Sequence, residues 1–232
     1  EQNFISGEAG ADGWGRYVGG RSQDLNDGTL TVIGEFKNYD GPWEQGEDLD
    51  HFALWGKYLT PTSFGEAAYT LSVYEAGWKP TEQIPERAFG TPVCADAFCS
   101  LDPTAEGETT RLIASTELIG GDWSANIYAQ FYDWTMSSNP TYDFQINQFD
   151  KRWIIGGKMD KTLFNEGSFD ITTGADFRYD DGSSIGVEHT NQGGYVADIG
   201  DNEIAEFSIG PFVDATWNAS SRLRVNAGLR YD

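Results

Sequence analysis
From Ala205 the chain alternates in polarity: Ala205, Phe207, Ile209, Pro211, Val213, Ala215 and Trp217 interleave with Glu206, Ser208, Gly210, Phe212, Asp214 and Thr216. A period of two sends the two sets to opposite faces of a strand. The rhythm resumes at Leu223, Val225, Ala227, Leu229 and Tyr231, against Arg222, Arg224, Asn226, Gly228 and Arg230. It also marks 67–78, 123–135 and 168–178, where Leu71, Val73, Ile127, Phe131, Ile171 and Phe177 define the apolar side. About ten strands are predicted, over 13–22, 28–38, 50–59, 67–78, 109–119, 123–135, 150–160, 168–178, 203–217 and 221–232. The run Trp153-Ile154-Ile155-Gly156-Gly157 alternates poorly, so 150–160 is the least regular of them.

The connections fall into two classes that alternate along the chain. Short ones, rich in Gly, Asn, Asp and Ser, lie at 23–27, 60–65, 120–122, 161–167 and 218–220. Such clusters close hairpins. Long ones lie at 39–49, 79–108, 136–149 and 180–202. An up-and-down meander with tight turns at one end and extended loops at the other is the pattern of an outer-membrane barrel. Greek-key crossovers of a sandwich would break it. The expected fold is therefore all-β: an antiparallel meander, about ten strands of a larger transmembrane barrel, with 1–232 as one partial barrel domain. Aromatic residues near strand ends (Trp14, Tyr39, Trp78, Trp123, Trp134, Trp153, Tyr179, Trp217, Tyr231) fit rings at the headgroup level.

Composition narrows the function. The 232 residues include 37 acidic and 15 basic side chains, a net charge of −22. Coating nucleic acid needs the opposite excess, so no nucleic-acid partner is expected. No apolar run of about 20 residues is present to make a membrane helix, which leaves strands as the way to cross a bilayer. The chain opens without Met or a signal peptide, as a mature chain or a fragment does. Cys94 and Cys99, four residues apart within a long loop, suit a small disulfide loop. Two free thiols or half of a metal site are the alternatives. A disulfide would imply an oxidising compartment.

Several segments carry a family resemblance. Tyr39-Asp40-Gly41-Pro42-Trp43-Glu44, Trp78-Lys79-Pro80-Thr81-Glu82-Gln83-Ile84-Pro85-Glu86-Arg87 and Leu101-Asp102-Pro103-Thr104, then Gly107 to Arg111 and the terminal Ala227-Gly228-Leu229-Arg230-Tyr231-Asp232, resemble segments of proteobacterial TonB-dependent outer-membrane receptors. The resemblance implies a 22-stranded barrel closed by an N-terminal plug. Such a barrel takes up a scarce nutrient of the iron-siderophore, cobalamin or saccharide class, powered by an inner-membrane energy-transducing complex. The implied partners are outer-membrane lipid, a small-molecule nutrient and the TonB complex acting through a plug that this chain does not contain. The implied location is the outer membrane of a Gram-negative bacterium.

Candidate sites follow. Asp40, Trp43, Trp78 and Arg87 are candidates to face incoming substrate; turn chemistry and interface anchoring are their simpler roles. A three-residue turn at 218–220 would set Asp214 opposite Arg224, an ion pair on the lumen wall. Acidic clusters at 44–50, 180–181 and 198–203 are candidate divalent-cation sites but lack the spacing of a calcium loop. No cofactor, metal site or catalytic constellation is legible. His51 with Ser72 could be proposed for a barrel hydrolase, but so could any such pair at this density of polar residues. A passive porin and a secreted carbohydrate-binding β-sandwich are the competing readings.

Overall fold
The computed structural model describes residues 3–232. Eleven strands run in sequence: β1 (Phe4–Ala9), β2 (Gly15–Leu25), β3 (Gly28–Tyr39), β4 (Leu49–Thr62), β5 (Gly65–Trp78), β6 (Gly107–Ile119), β7 (Trp123–Ser138), β8 (Gln145–Glu166), β9 (Phe169–Asn191), β10 (Gly194–Ser220) and β11 (Leu223–Arg230). They form one antiparallel sheet in chain order, each strand bonded to its sequence neighbours. Among the described residues β1 does not pair with β11, and no second layer covers either face. The two packed sheets of a sandwich are therefore absent from them.

The predicted meander is present, with four corrections. Strand β1 was missed because Phe4-Ile5-Ser6-Gly7-Glu8-Ala9 is short and carries one glycine and one charge. The irregular segment 150–160 is the middle of the 22-residue β8. The long loop expected at 180–202 is instead a hairpin extension: β9 runs to Asn191 and β10 restarts at Gly194 after Gln192, whose φ is 50°. Three register shifts break its alternation, between Tyr195 and Ala197, Asp198 and Gly200, and Asn202 and Ile204. Bulges of this kind erase a period of two. Finally, β10 continues through Ser220 and turns at 221–222, not at 218–220.

That last shift changes the register of the closing hairpin. Asp214 lies opposite Gly228, and Arg224 lies opposite Asn218. The expected Asp214–Arg224 pair is not formed; Arg224 Nε instead donates to Asn226 Oδ1 at 3.1 Å. Both residues keep the predicted face, because a slip of four residues preserves side-chain parity.

Connections at one end contain two or three residues each, at 26–27, 63–64, 120–122, 167–168 and 221–222. The other end carries 10–14, 40–48, 79–106, 139–144 and the tip at 192–193. Register propagates the alternation across strands. One face presents Phe36, Leu54, Leu71, Ala114, Ile127, Ile155, Ala175 and Ile209; the other presents Glu35, Tyr74, Arg111, Tyr132, Arg178 and Asp214. On the apolar face Ile127 is 55% exposed, Met159 55% and Phe207 64%, so no protein packs on them.

Aromatic pairs border this apolar band. Phe64 with Trp123 (5.4 Å) and Phe169 with Trp217 (5.6 Å, stacked) lie toward the tight-turn end. Phe131 with Trp153 (5.1 Å) lies toward the loop end. Trp78 and Trp134 also sit near strand ends, but their register partners put them on the polar face.

Candidate functional site
Two regions concentrate polar chemistry: a crown where the loops meet, and the polar face of the sheet. The crown is built around Asp102. Its Oδ1 accepts from the Thr104 backbone N (3.1 Å) and hydroxyl (2.6 Å), the Asx-turn geometry that Asp-Pro-Thr favours. Its Oδ2 accepts from Asn139 Nδ2 (2.8 Å) and Gln145 Nε2 (3.2 Å). Gln145, 2% exposed, also takes hydrogen bonds on Oε1 from the Thr190 hydroxyl and the Gly193 N–H, both at 2.9 Å. One carboxylate and one amide thus tie loop 79–106, loop 139–144 and the β9–β10 tip together. Burial pushes the Asp102 carboxyl up, but the donors from Thr104, Asn139 and Gln145 more than offset it and hold it below the ordinary range.

A cavity of about 500 Å³ opens among these segments, lined by Asp102, Asn139, Tyr142, Gln145, His189 and Thr190 with their neighbours. Tyr142 holds a φ of 58°, a left-handed conformation unusual for a bulky side chain. Its phenol is pushed up to about 12, first by burial and then by the charges of Glu82 and Asp102. Asn139 Oδ1 is buried without a partner.

The four candidate substrate-facing residues are mostly spent on holding loops. Asp40 accepts on its backbone oxygen from Glu47 N. Trp43 donates to Glu47 Oε1 (2.8 Å) and packs against Phe98 at 5.9 Å. Arg87 donates to the Thr141 carbonyl (3.0 Å) and faces Asp143 at 3.6 Å. Trp78 covers Gly107 and lines a separate cavity of about 340 Å³ with Asp48, Lys79 and Asn147. Loop 40–48 is joined to loop 79–106 by Glu44 N to Phe98 O (2.7 Å) and by Gln45 Nε2 to Pro103 O (2.8 Å). Cys94 and Cys99 are joined as a disulfide, with a Cα–Cα separation of 5.4 Å, inside loop 79–106.

The acidic clusters do not converge. Among the described residues no group of three or more His, Cys, Asp or Glu is placed to hold a metal ion. Strand alternation separates Asp180, which accepts from Arg178 at 2.8 Å on the polar face, from Asp181 on the other. His51 lies opposite Ala76, four residues along β5 from Ser72, so the two make no nucleophile–base contact. His51 instead faces Glu35 at 3.6 Å, and that carboxylate takes a 2.7 Å hydrogen bond from Arg16.

On the polar face of β8–β11 most cations are matched by acids. Arg152 bonds Asp150 (2.7 Å), Lys158 approaches Asp160 (3.6 Å), and Arg230 bonds Asp176 (2.9 Å). The Arg230–Asp176 pair bridges β11 and β9 across β10. The guanidinium crosses over Gly210, where a Cβ would overlap it.

Sequence reasoning missed Asp102, Asn139 and Gln145 as the crown's hub. Only Asp102 carried a local signal, its turn. No family model matches the chain, and no curated protein matches it at a significant level.

Proposed function
We propose that the chain is part of a transmembrane β-barrel in the outer membrane of a Gram-negative bacterium. Within that class, we propose a TonB-dependent receptor that takes up a scarce nutrient through a plugged lumen. One observation carries this reading: a single-layer sheet of eleven strands presents an uncovered apolar face edged by aromatic pairs. At about 4.8 Å between strands that face is roughly 50 Å wide. With a height of roughly 25 Å, it exceeds several times over the largest apolar patch of an ordinary water-soluble monomer. Hydrocarbon is the solvent that suits it.

Polarity along single strands agrees. On β7 the apolar positions run from Trp123 to Phe131 before Asp133, which pairs with Lys151 at 2.8 Å. On β8 they run from Trp153 to Met159 between Lys151 and Lys161. The charges thus fall at the two rims of the band. The tied crown at the loop end and the hydrated polar face would then serve nutrient capture and passage. The two unpaired edges would be closed by further strands, since open edges are not tolerated in lipid. The TonB assignment rests on the loop-segment resemblance alone.

Two experiments test the proposal in order. The protein should sediment with outer membranes and resist alkaline extraction; release as a soluble species would end the barrel reading. Uptake of the nutrient should then collapse when the energy-transducing complex is deleted. Uptake that persists undiminished would replace the receptor with a passive porin.

A further inference from the structure
The polar face is chemically divided. Inward positions at 51–57 on β4, 70–76 on β5, 109–115 on β6 and 128–134 on β7 form a lattice of four strands by four rows. The lattice contains no carboxylate, in a chain with 37 acidic residues. It contains two cations, Lys57 and Arg111, and among the described residues neither joins an ion pair. Across the sheet, by contrast, Arg152, Arg178 and Arg230 each hold a carboxylate.

The lattice is also lined with rings. Arg111 lies opposite Tyr74 on one side and Tyr132 on the other, and its guanidinium stands over the Tyr132 ring at 5.1 Å. A guanidinium held against a ring keeps its planar donor fork pre-organised for an anion. Lys57 shares its row with Thr70, Ser115 and Tyr128. From strand spacing and rise, Lys57 and Arg111 stand roughly 16 Å apart, with Trp55 and Ser72 between them.

We propose that this wall, on β4–β7, binds an elongated anionic solute rich in hydroxyl groups, of the acidic-oligosaccharide class. Lys57 and Arg111 engage two of its carboxylates or sulfates, the hydroxyls of Thr70, Ser72 and Ser115 meet its own, and the aromatic rings cover its apolar faces. The absence of acids matters as much as the two cations, because a like-charged wall would repel such a solute. The proposal rests on the barrel reading, which makes this face a wetted interior.

The test uses the whole protein in detergent micelles, with tetragalacturonate as the acidic probe and maltotetraose as the uncharged one, followed by calorimetry and Trp fluorescence. The acidic probe should bind about tenfold or more tighter, and Lys57→Gln or Arg111→Gln should each remove about that factor, while Arg111→Lys recovers part of it. Added salt should weaken the acidic probe alone. Equal affinity for the two probes, or an acidic affinity indifferent to salt, overturns the proposal without needing any variant. Insertion of the same preparation into lipid vesicles is measured alongside. Insertion without acidic preference defeats only this inference, whereas failure to insert defeats the barrel reading beneath it.

Discussion
Ile127→Arg probes the apolar face at its most sensitive point. Ile127 sits on β7, four residues from Trp123 and four from Phe131, opposite Thr116 and Gly157. With a rise of about 3.3 Å per residue and a tilt near 40°, it lies about 10 Å from either aromatic rim. In the proposed barrel that is close to the middle of the hydrocarbon. An arginine there should cost about 2–4 kcal/mol of barrel stability, a factor of roughly 30 to 1,000 in the folding equilibrium. Asn126 is the depth-matched control: it points to the polar face between Glu117 and Lys158. Asn126→Arg should change stability by no more than about 0.5 kcal/mol. Guanidinium unfolding in lipid vesicles, followed by Trp fluorescence, reads both. If Ile127 merely faced water, its replacement would cost under about 1 kcal/mol. Indistinguishable penalties for the two variants would refute the assignment of faces.

Three further outcomes are expected. Removing the Cys94–Cys99 bond by Cys94→Ser with Cys99→Ser should leave the barrel's unfolding midpoint unchanged while speeding proteolysis within 79–106; for so short a closed loop the local loss is about 2 kcal/mol, and unchanged cleavage would contradict it. The depressed carboxyl of Asp102 contributes stability that is present above its unfolded value and lost as pH falls through the folded one. The crown should therefore be tight at neutral pH and loosen below about pH 4, read as loop proteolysis by an acid-active protease; Asp102→Asn should be loose at neutral pH already. Gly210→Val should drive Arg230 off Asp176 and speed amide exchange in β11, and unchanged exchange would show that the crossing over β10 does not anchor that strand.

Much of the sheet was legible because each strand between the rims has one apolar and one polar face, so its side chains keep a period of two. That is why 205–217 and 123–135 read clearly. Where both faces of a strand carry polar residues the signal vanishes, as in the β9–β10 extension, whose Asp, Gly and Asn residues look like loop. Register shifts that skip Val196, Ile199 and Glu203 compound the loss. The Asp214–Arg224 pairing failed for a different reason: Asn218 and Ser220 are good turn residues, yet the chain turns at 221–222. Turn chemistry named the neighbourhood and not the position. The crown was illegible because Asp102, Asn139 and Gln145 are distant in sequence and meet only through tertiary folding, whereas the Cys94–Cys99 bond is local enough for spacing to foretell it.

Strict neighbour pairing has a consequence for assembly. Because every strand bonds only to the one before and the one after it, the sheet can lengthen hairpin by hairpin, each newcomer covering the donor and acceptor row its predecessor left bare. At every stage of such growth only the two outermost rows remain available. If further strands complete the barrel proposed above, joining its last strand to its first would be the single non-local pairing in the sheet.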